Sequence, residues 1–435
     1  MKFKSIYTCL SVFLLLFTLL SCEKEEKTNP LYKESTNEIK DVMILYSMGH
    51  NSLDAFLDEN IKTLTTGYLP GNGAKDDVLL VFTRGTESSK DYSTETPSYL
   101  IRIYEKKNKV IMDTVLTTDK STIAASAATM KSILTHISEN YHADRYGLVL
   151  SSHGTGWLPK GYYSNPSYYE SSTSASTPLS VGQPVGALPY VEPEYDPSLP
   201  MTKSFGQDLV TVNGTNYTYE MDLWDVASAI PMHLSYILFD ACLMGGVETA
   251  YELKDVCDVI GFSQAEVLAT GFDYSTITKY LLKDDSNDPK HVCSDYYDYY
   301  AAQTGTSQSA TISMIDCSKL DNLASVCKGI FSTYRDAILK VDPSTVQGFF
   351  RFNKHWFYDL EDIAEKSGVS DADLAKLKTA IDDCIVYKAT TASFLGSFNI
   401  TAFCGLSMYL PADGSTYLDT FYKRFQWNSD TALVE

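Results

Sequence analysis

Short, continuous apolar runs alternate along this chain with stretches in which apolar residues recur every three or four positions. Runs of the first kind indicate strands buried on both faces, and stretches of the second kind indicate helices packed against them. The runs predicted to be strands are residues 41–47, 77–83, 99–104, 109–112, 146–152, 236–240, 259–263, 310–315 and 406–410. The stretches predicted to be helices are residues 121–139, 220–230, 246–254, 317–340 and 374–387. Their alternation predicts an α/β fold built on a mostly parallel central sheet.

One long segment interrupts this alternation. Residues 158–205 are rich in Tyr, Ser, Pro and Gly and show neither strand nor helix periodicity. Such a loop is unusually long for a compact α/β domain, and loops of this kind usually act as lids, binding loops or processing sites. We expect a core over residues 40–316 that carries this inserted loop, completed by a helical C-terminal part over residues 317–435.

The first 21 residues have the features of a secretory signal. Two lysines precede an apolar run over residues 9–20, which is too short to span a bilayer. The run ends in Leu-Leu-Ser-Cys, which resembles a bacterial lipobox. That resemblance implies a lipid on Cys22, a flexible tether over residues 22–39, and attachment to the outer membrane or cell surface of a bacterium. The alternative is an ordinary signal peptide with a chance cysteine.

The acidic composition narrows the classes of function. Among 435 residues there are 35 Lys and Arg against 55 Asp and Glu, a net charge of −20. A nucleic-acid-binding protein presents a basic stripe to the phosphates, so no nucleic-acid partner is expected. With 44% hydrophobic and 21% charged residues, the chain has enough apolar material for a sizeable core.

The cysteine count points to thiol chemistry rather than to a metal. Of nine cysteines, Cys9 would leave with the signal and Cys22 would be lipidated, so seven remain. An odd number leaves at least one thiol unpaired in an exported chain unless it pairs with another chain. No Cys-x-x-Cys pair or Cys/His cluster has the spacing of a zinc site, and no metal site is therefore expected.

Candidate catalytic residues follow two of the predicted strands. Strand 146–152 runs into His153-Gly154, and strand 236–240 runs into Ala-Cys242. Because functional groups gather beyond the carboxyl ends of parallel strands, His153 and Cys242 are expected to face one cleft. A neighbouring imidazole can take the proton of a thiol and so produce a strong nucleophile. The amides of Gly154 and Cys242 are candidates for an oxyanion site. The alternative for each residue alone is a structural histidine and a buried, inert cysteine.

These residues resemble a known family. The segments Ser-Ser-His-Gly-Thr-Gly-Trp at 151–157 and Phe-Asp-Ala-Cys-Leu-Met-Gly-Gly at 239–246 resemble the two signature blocks of the clostripain-like cysteine peptidases. Residues 357–362 and 404–411 resemble its later blocks. The resemblance implies the αβα sandwich shared with caspases, gingipains and legumains. It also implies a dyad in which His153 is the base and Cys242 the nucleophile, with no required third member.

The same resemblance suggests how a substrate is selected. An acidic residue two positions before the nucleophile, here Asp240, contributes in the family to an S1 pocket for Arg or Lys. A buried carboxylate binds a guanidinium through two hydrogen bonds or an ammonium through one. Asp273 is the candidate for a second acidic group, although the block around it departs from the expected form. The alternative role for Asp240 is to cap the following helix.

Clostripain-like enzymes often mature by cutting themselves between the histidine and cysteine blocks. Only two basic residues lie in this part of the chain, Lys160 and Lys203. Lys160 lies too close to the histidine strand to reach the cleft without strain, so Lys203 is the predicted processing site. Some relatives need calcium, but no D-x-D-x-D-G loop is present, and no other cofactor is expected.

Taken together, the sequence predicts a surface-anchored cysteine endopeptidase that cleaves protein or peptide substrates after basic residues. The alternative is a catalytically idle binding lipoprotein on the same fold. An acyltransferase or thioesterase is a weaker interpretation, because the chain lacks G-x-S-x-G and its histidine precedes its nucleophile.

Overall fold

A computed structural model describes residues 39–48, 51–84, 96–163, 166–171, 202–203, 208–212, 215–351 and 356–435. Its strands are, in chain order, β1 (Ile39–Ser47), β2 (Val78–Arg84), β3 (Ser98–Glu105), β4 (Val110–Thr117), β5 (Ala143–Ser151), β6 (Thr202–Lys203), β7 (Asp208–Val212), β8 (Thr215–Tyr219), β9 (Leu234–Asp240), β10 (Cys257–Phe262), β11 (Val267–Leu268), β12 (Thr311–Asp316), β13 (Tyr358–Asp359), β14 (Ile385–Thr390), β15 (Ser393–Phe394), β16 (Phe398–Asn399) and β17 (Ser407–Met408). Its helices are α1 (Asp54–Leu64), α2 (Ala127–Asn140), α3 (Pro166–Ser171), α4 (Leu223–Ala229), α5 (Val247–Leu253), α6 (Ile277–Leu282), α7 (Pro289–Ala301), α8 (Leu320–Ile338), α9 (Leu360–Lys366), α10 (Asp371–Cys384), α11 (Thr416–Tyr422) and α12 (Gln426–Thr431).

A nine-stranded sheet organises these elements in the order β14-β12-β10-β9-β5-β1-β2-β3-β4. Its five central strands, from β10 to β2, run parallel, and the two strands on either side of them pair antiparallel. The continuous apolar run from Val42 to Tyr46 in β1 is buried, as expected for a strand covered on both faces. The prediction of an α/β fold with a mostly parallel central sheet is confirmed.

The longer helices around this sheet bury one apolar face each. In α8, for example, Leu320, Leu323, Cys327, Ile330 and Phe331 are buried, and they follow the three-to-four-residue spacing of one helix face. Helix α8 packs against α10 and α12. Within the described ranges, no helix combines the length and apolar character needed to cross a bilayer.

Several predicted elements differ from the observed ones. The helix predicted over 374–387 ends at Cys384, and the chain continues directly into β14, where β-branched residues suit a strand that pairs with β12. Helix α2 begins only at Ala127, where the hydroxyl of Ser126 accepts a hydrogen bond from the amide of Thr129. The strand prediction over 406–410 shrinks to β17.

Seven helices were absent from the predictions, namely α1, α3, α6, α7, α9, α11 and α12. Helix α7 carries a Tyr- and Asp-rich sequence whose apolar periodicity is weak. The sequence nevertheless contains a signal for its first turn, because Asp288 caps the helix and Pro289 occupies its first position.

Some predictions fall on residues that the structure does not describe. The predicted signal peptide, Cys22 and the tether up to residue 38 lie outside the described residues, and β1 begins at Ile39. Of the predicted loop 158–205, residues 158–163, 166–171 and 202–203 are described, and they contain α3 and β6.

Candidate active site

The ends of three parallel strands are level with one another. In the register of the sheet, Ser47 of β1 lies opposite Ser151 of β5, and Ser151 lies opposite Asp240 of β9. His153 and Cys242 each follow two residues later, so they leave neighbouring strands at the same height. The segments that follow β1, β5 and β9 therefore meet at one edge of the sheet.

Gly154 lies in close contact with the backbone of the cysteine. A Cβ atom at residue 154 would come within 2.2 Å of the carbonyl oxygen and 3.0 Å of the amide nitrogen of Cys242. Any side chain would displace one backbone from the other, so only glycine allows this approach. The structure thus brings His153, Gly154 and Cys242 together.

The turn after Cys242 holds the backbone in an unusual conformation. Leu243 has φ = 61°, which places a bulky residue in the left-handed region. Its amide donates to the carbonyl of Ala265 at 2.9 Å, and the amide of Gly245 donates to Ser263 at 2.8 Å. These bonds hold the turn that follows Cys242 in place.

The thiol of Cys242 lies against β11. The amide of Val267 donates to Sγ at 3.1 Å, and Sγ lies 3.7 Å from the carbonyl oxygen of the same residue. Cys242 is 1% exposed and His153 is 5% exposed, so both side chains are largely shielded from solvent in this structure.

The imidazole of His153 contacts a residue that sequence reasoning missed. Its Nε2 atom lies 3.1 Å from the hydroxyl oxygen of Ser52, in the segment between β1 and α1. The same rule that singled out His153 and Cys242 also pointed to this segment, because it follows the carboxyl end of a third parallel strand.

Asp240 is the last residue of β9, two positions before the cysteine, and is fully buried. Its Oδ2 atom accepts hydrogen bonds from the hydroxyls of Ser151 at 2.9 Å and Tyr274 at 2.7 Å. A Cβ at Gly271 would lie 2.3 Å from the carboxylate, and φ at this position is +66°. Both the close contact and the left-handed backbone require glycine. Burial, and then the negative charge of Asp240, raise the pKa of Tyr274 well above its usual value.

Asp273, the candidate for a second acidic group, is exposed. Its carboxylate accepts hydrogen bonds from the amide and hydroxyl of Ser275, at 2.9 and 2.6 Å. Since this turn places its neighbour Tyr274 against Asp240, the residue paired with Asp240 is a tyrosine that sequence reasoning had passed over.

The two lysines of the inserted segment have different surroundings. Lys160 is buried, with its ammonium 3.8 Å from Asp222 and 3.8 Å from Asp225. Lys203 lies in β6, which pairs antiparallel with β11 so that Lys203 is opposite Val267. The backbone of Lys203 therefore runs beside the strand whose amide contacts the thiol of Cys242.

The later sequence blocks pair with each other and brace the nucleophile segment. Strand β13 pairs antiparallel with β17, and the amide of Ser407 donates to the carbonyl of Gly245 at 2.8 Å. One carboxylate oxygen of Glu248 in α5 accepts from the amide of Tyr409 and the hydroxyl of Tyr422, at 2.9 and 2.7 Å. Burial raises the pKa of Glu248 to about 7.

Two aromatic side chains near the site have packing roles. Trp157 is buried, and its indole N–H donates to the carbonyl of Trp356 at 3.0 Å. Phe272 is buried against Tyr296. Neither contact points to a chemical step.

The remaining thiols are structural. None of the seven cysteines in the described part of the chain forms a disulfide, and all of them are buried. Burial raises the pKa of several thiols away from the site, namely Cys293, Cys327, Cys384 and Cys404. Among the described residues, no group of three His, Cys, Asp or Glu side chains has the arrangement needed to hold a metal ion.

Comparison with known proteins identifies relatives over nearly the whole chain. The model of the clostripain family matches residues 45–173 and 192–434. No curated protein matches the chain.

Several solved structures have the same fold as this chain. An inactive zymogen C11 protease from Parabacteroides distasonis is 24% identical with a TM-score of 0.69, over 92% of this chain and 99% of that one. A secreted C11 cysteine protease from Bacteroides thetaiotaomicron is 24% identical with a TM-score of 0.67, over 90% and 99% of the two chains. A second structure is described as a secreted C11 cysteine protease from the same organism in complex with an irreversible peptide inhibitor. It is 23% identical with a TM-score of 0.67, over 90% of this chain and 99% of that one.

Proposed function

This chain belongs to the clostripain family and is a cysteine peptidase, and we propose that His153 and Cys242 form its catalytic dyad. The observation that carries this proposal is the level register of β5 and β9, since His153 and Cys242 each follow the end of one of these neighbouring strands by two residues. The close approach of Gly154 to Cys242 supports it, because that approach brings the segment that carries His153 against the backbone of the cysteine.

The proposed reaction follows the chemistry of a thiol nucleophile. The imidazole of His153 takes the proton of Cys242, and the thiolate attacks the carbonyl carbon of the substrate. The amides of Gly154 and Cys242 hold the oxyanion that forms, and such a donor typically contributes about 3–4 kcal/mol to the transition state. The imidazolium then gives its proton to the leaving amine, and water hydrolyses the thioester with His153 again acting as base.

For specificity, we infer that Asp240 directs cleavage to bonds after Arg or Lys. Its carboxylate is buried at the end of β9, two residues before the cysteine, and the hydroxyls of Ser151 and Tyr274 hold it in one orientation. A buried, oriented carboxylate is a strong site for a guanidinium or ammonium group. Because Tyr274 already donates to the same oxygen, a substrate cation must share or displace that hydrogen bond.

An active peptidase and an idle binding protein differ in the reactivity of Cys242. We expect a peptide with a basic P1 residue and an electrophilic ketone to alkylate Cys242 and to leave the six other cysteines of the described chain unmodified. Those thiols are buried, and the pKa values raised by burial at Cys293 and Cys404 keep them protonated. Peptide mapping by mass spectrometry gives the modified residue. Equal labelling of His153→Ala and wild type would favour the idle binding protein.

We also propose that the chain cuts itself after Lys203. The pairing of β6 with β11 supports this, since it lays the backbone of Lys203 alongside the strand that contacts the thiol. Lys160, in contrast, is held by two aspartates. The purified wild type is expected to split between Lys203 and Ser204, whereas Cys242→Ala stays whole, as sequencing of the new N terminus would reveal.

Two variants at the cleavage position sharpen this test. Lys203→Arg keeps a basic side chain and should still be cut, while Lys203→Ala should stay intact. A wild type that stays intact, or a Cys242→Ala protein cut at the same rate, would remove self-processing from the proposal.

The proposed location is the outer membrane or cell surface, through acyl chains on Cys22. This proposal depends on the lipobox-like ending of the apolar run alone, and mass spectrometry of the mature N terminus tests it. A mature chain that starts elsewhere than Cys22 would contradict it.

A further inference from the structure

A serine outside the two signature blocks contacts the catalytic imidazole. Ser52 lies between β1 and α1, and its hydroxyl oxygen is 3.1 Å from Nε2 of His153. This distance is that of a hydrogen bond. A group placed there determines how the ring is oriented and which nitrogen is left for the thiol.

Ser52 is held in place by a short network of buried groups. The side chain of Asn51 donates to the carbonyl of Met48 at 3.0 Å and accepts from the amide of Leu53 at 2.9 Å. Asn51 and Leu53, which flank Ser52, are both fully buried. A turn fixed on both sides of Ser52 leaves its side chain little freedom to leave the imidazole.

The same network ties the turn to the end of β5, which His153 follows. The amide of Met48 donates to the carbonyl of Ser151 at 3.0 Å, and the hydroxyl of Ser152 donates to the carbonyl of Met48 at 3.0 Å. The turn that carries Ser52 and the segment that carries His153 are therefore joined by direct hydrogen bonds. These bonds fix how far apart the two segments lie.

We propose that Ser52 is a positioning residue that accepts a hydrogen bond from Nε2–H of His153, leaving Nδ1 to exchange the proton with Cys242. This inference rests on the proposed dyad. In the imidazolium both ring nitrogens carry protons and can only donate, so Ser52 must act as the acceptor once His153 has taken the thiol proton. The hydrogen bond is strongest in that charged state and so stabilises the thiolate–imidazolium pair.

Other titratable groups lie on the elements around the imidazole. They are Cys242 and Asp240 at the end of β9, Tyr274 after β11, and Asp54 at the start of α1. All of them are unchanged in a Ser52 variant, so a difference between that variant and the wild type reports the hydroxyl of Ser52.

The expected effect of Ser52→Ala is a loss of the imidazolium's partner with little change in substrate binding. We expect kcat to fall roughly 10- to 100-fold, as for a lost hydrogen bond to a charged group, with KM nearly unchanged. The basic limb of the pH profile of kcat/KM should move to lower pH by about one unit or more, because the imidazolium then loses its proton more easily. Ser52→Thr keeps the hydroxyl. It should therefore show the wild-type kcat and the wild-type position of the basic limb.

A readout that does not need turnover separates this inference from the dyad itself. In the Cys242→Ala background, the pKa of His153 can be followed by NMR of the imidazole nitrogens with and without Ser52→Ala. We expect Ser52→Ala to lower the pKa of His153. The accompanying change in nitrogen chemical shift should be largest at Nε2. An inactive wild type would overturn the proposed dyad, whereas the NMR comparison would still decide the role of Ser52.

Two results would overturn the inference. One is a Ser52→Ala protein whose rate falls while the pH limb and the pKa of His153 stay unchanged, because that pattern describes a purely structural serine. The other is a Ser52→Thr protein that behaves like Ser52→Ala despite an unchanged melting temperature.

Discussion

Cys242→Ala is expected to reduce the turnover of peptide substrates on the order of 10⁴-fold or more, and His153→Ala by a similar factor. The reason is that the two side chains act as one unit, so that removing either leaves a nucleophile without a base or a base without a nucleophile. The double variant should be no slower than either single variant. Turnover of a fluorogenic peptide with a basic P1 residue, measured in single-turnover and steady-state assays, gives these factors.

Cys293→Ala provides the matched control for this prediction. Cys293 is a buried cysteine of α7, and burial raises the pKa of its thiol. We expect this variant to keep the wild-type rate. A Cys242→Ala protein with wild-type turnover would show that the dyad has been assigned to the wrong residues.

Asp240→Asn is expected to weaken cleavage after Arg and Lys by about 2–5 kcal/mol in kcat/KM, the usual cost of losing one partner of a buried charge pair. The substitution removes the negative charge but keeps an oxygen that can accept from Ser151 and Tyr274, so the fold around it should persist. The measurement is kcat/KM for peptide pairs that differ only at P1, with Arg or Lys in one and Leu or Gln in the other.

Asp273→Asn is the control that separates the two acidic residues. Asp273 is exposed and caps a turn through Ser275, so its charge should be dispensable for P1 selection. If Asp240→Asn lowers the rate equally for basic and neutral P1 residues, Asp240 supports the cysteine turn rather than the pocket. If Asp273→Asn alone removes the basic preference, the placement of these two residues relative to the substrate is different from the one proposed.

Much of the sheet could be predicted because each central strand carries its own signal. A strand covered on both faces needs a continuous apolar run, and the runs in β1, β2, β5, β9 and β10 stand out locally. The candidate catalytic residues were found for the same reason, since a strand end followed by His153-Gly154 or by Cys242 is visible in the chain itself. Family resemblance then added roles for Asp240 and Lys203 that periodicity does not contain.

Elements stabilised by their surroundings were harder to predict. β14 follows α10 without a break, and its strand conformation depends on pairing with β12. Helix α7 has weak periodicity, so only its Asp-Pro start marked it. In both cases the chain fragment alone is compatible with more than one conformation, and tertiary contacts select one.

The sequence by itself determined the α/β class, the family, and which histidine and cysteine follow neighbouring strand ends. These properties are encoded by residues close together in the chain. Only the tertiary structure decided that Tyr274 rather than Asp273 contacts Asp240, that β6 pairs with β11, and that Ser52 contacts His153. Each of these contacts joins segments up to 101 residues apart in the chain. The order of the strands in the sheet brings those segments together.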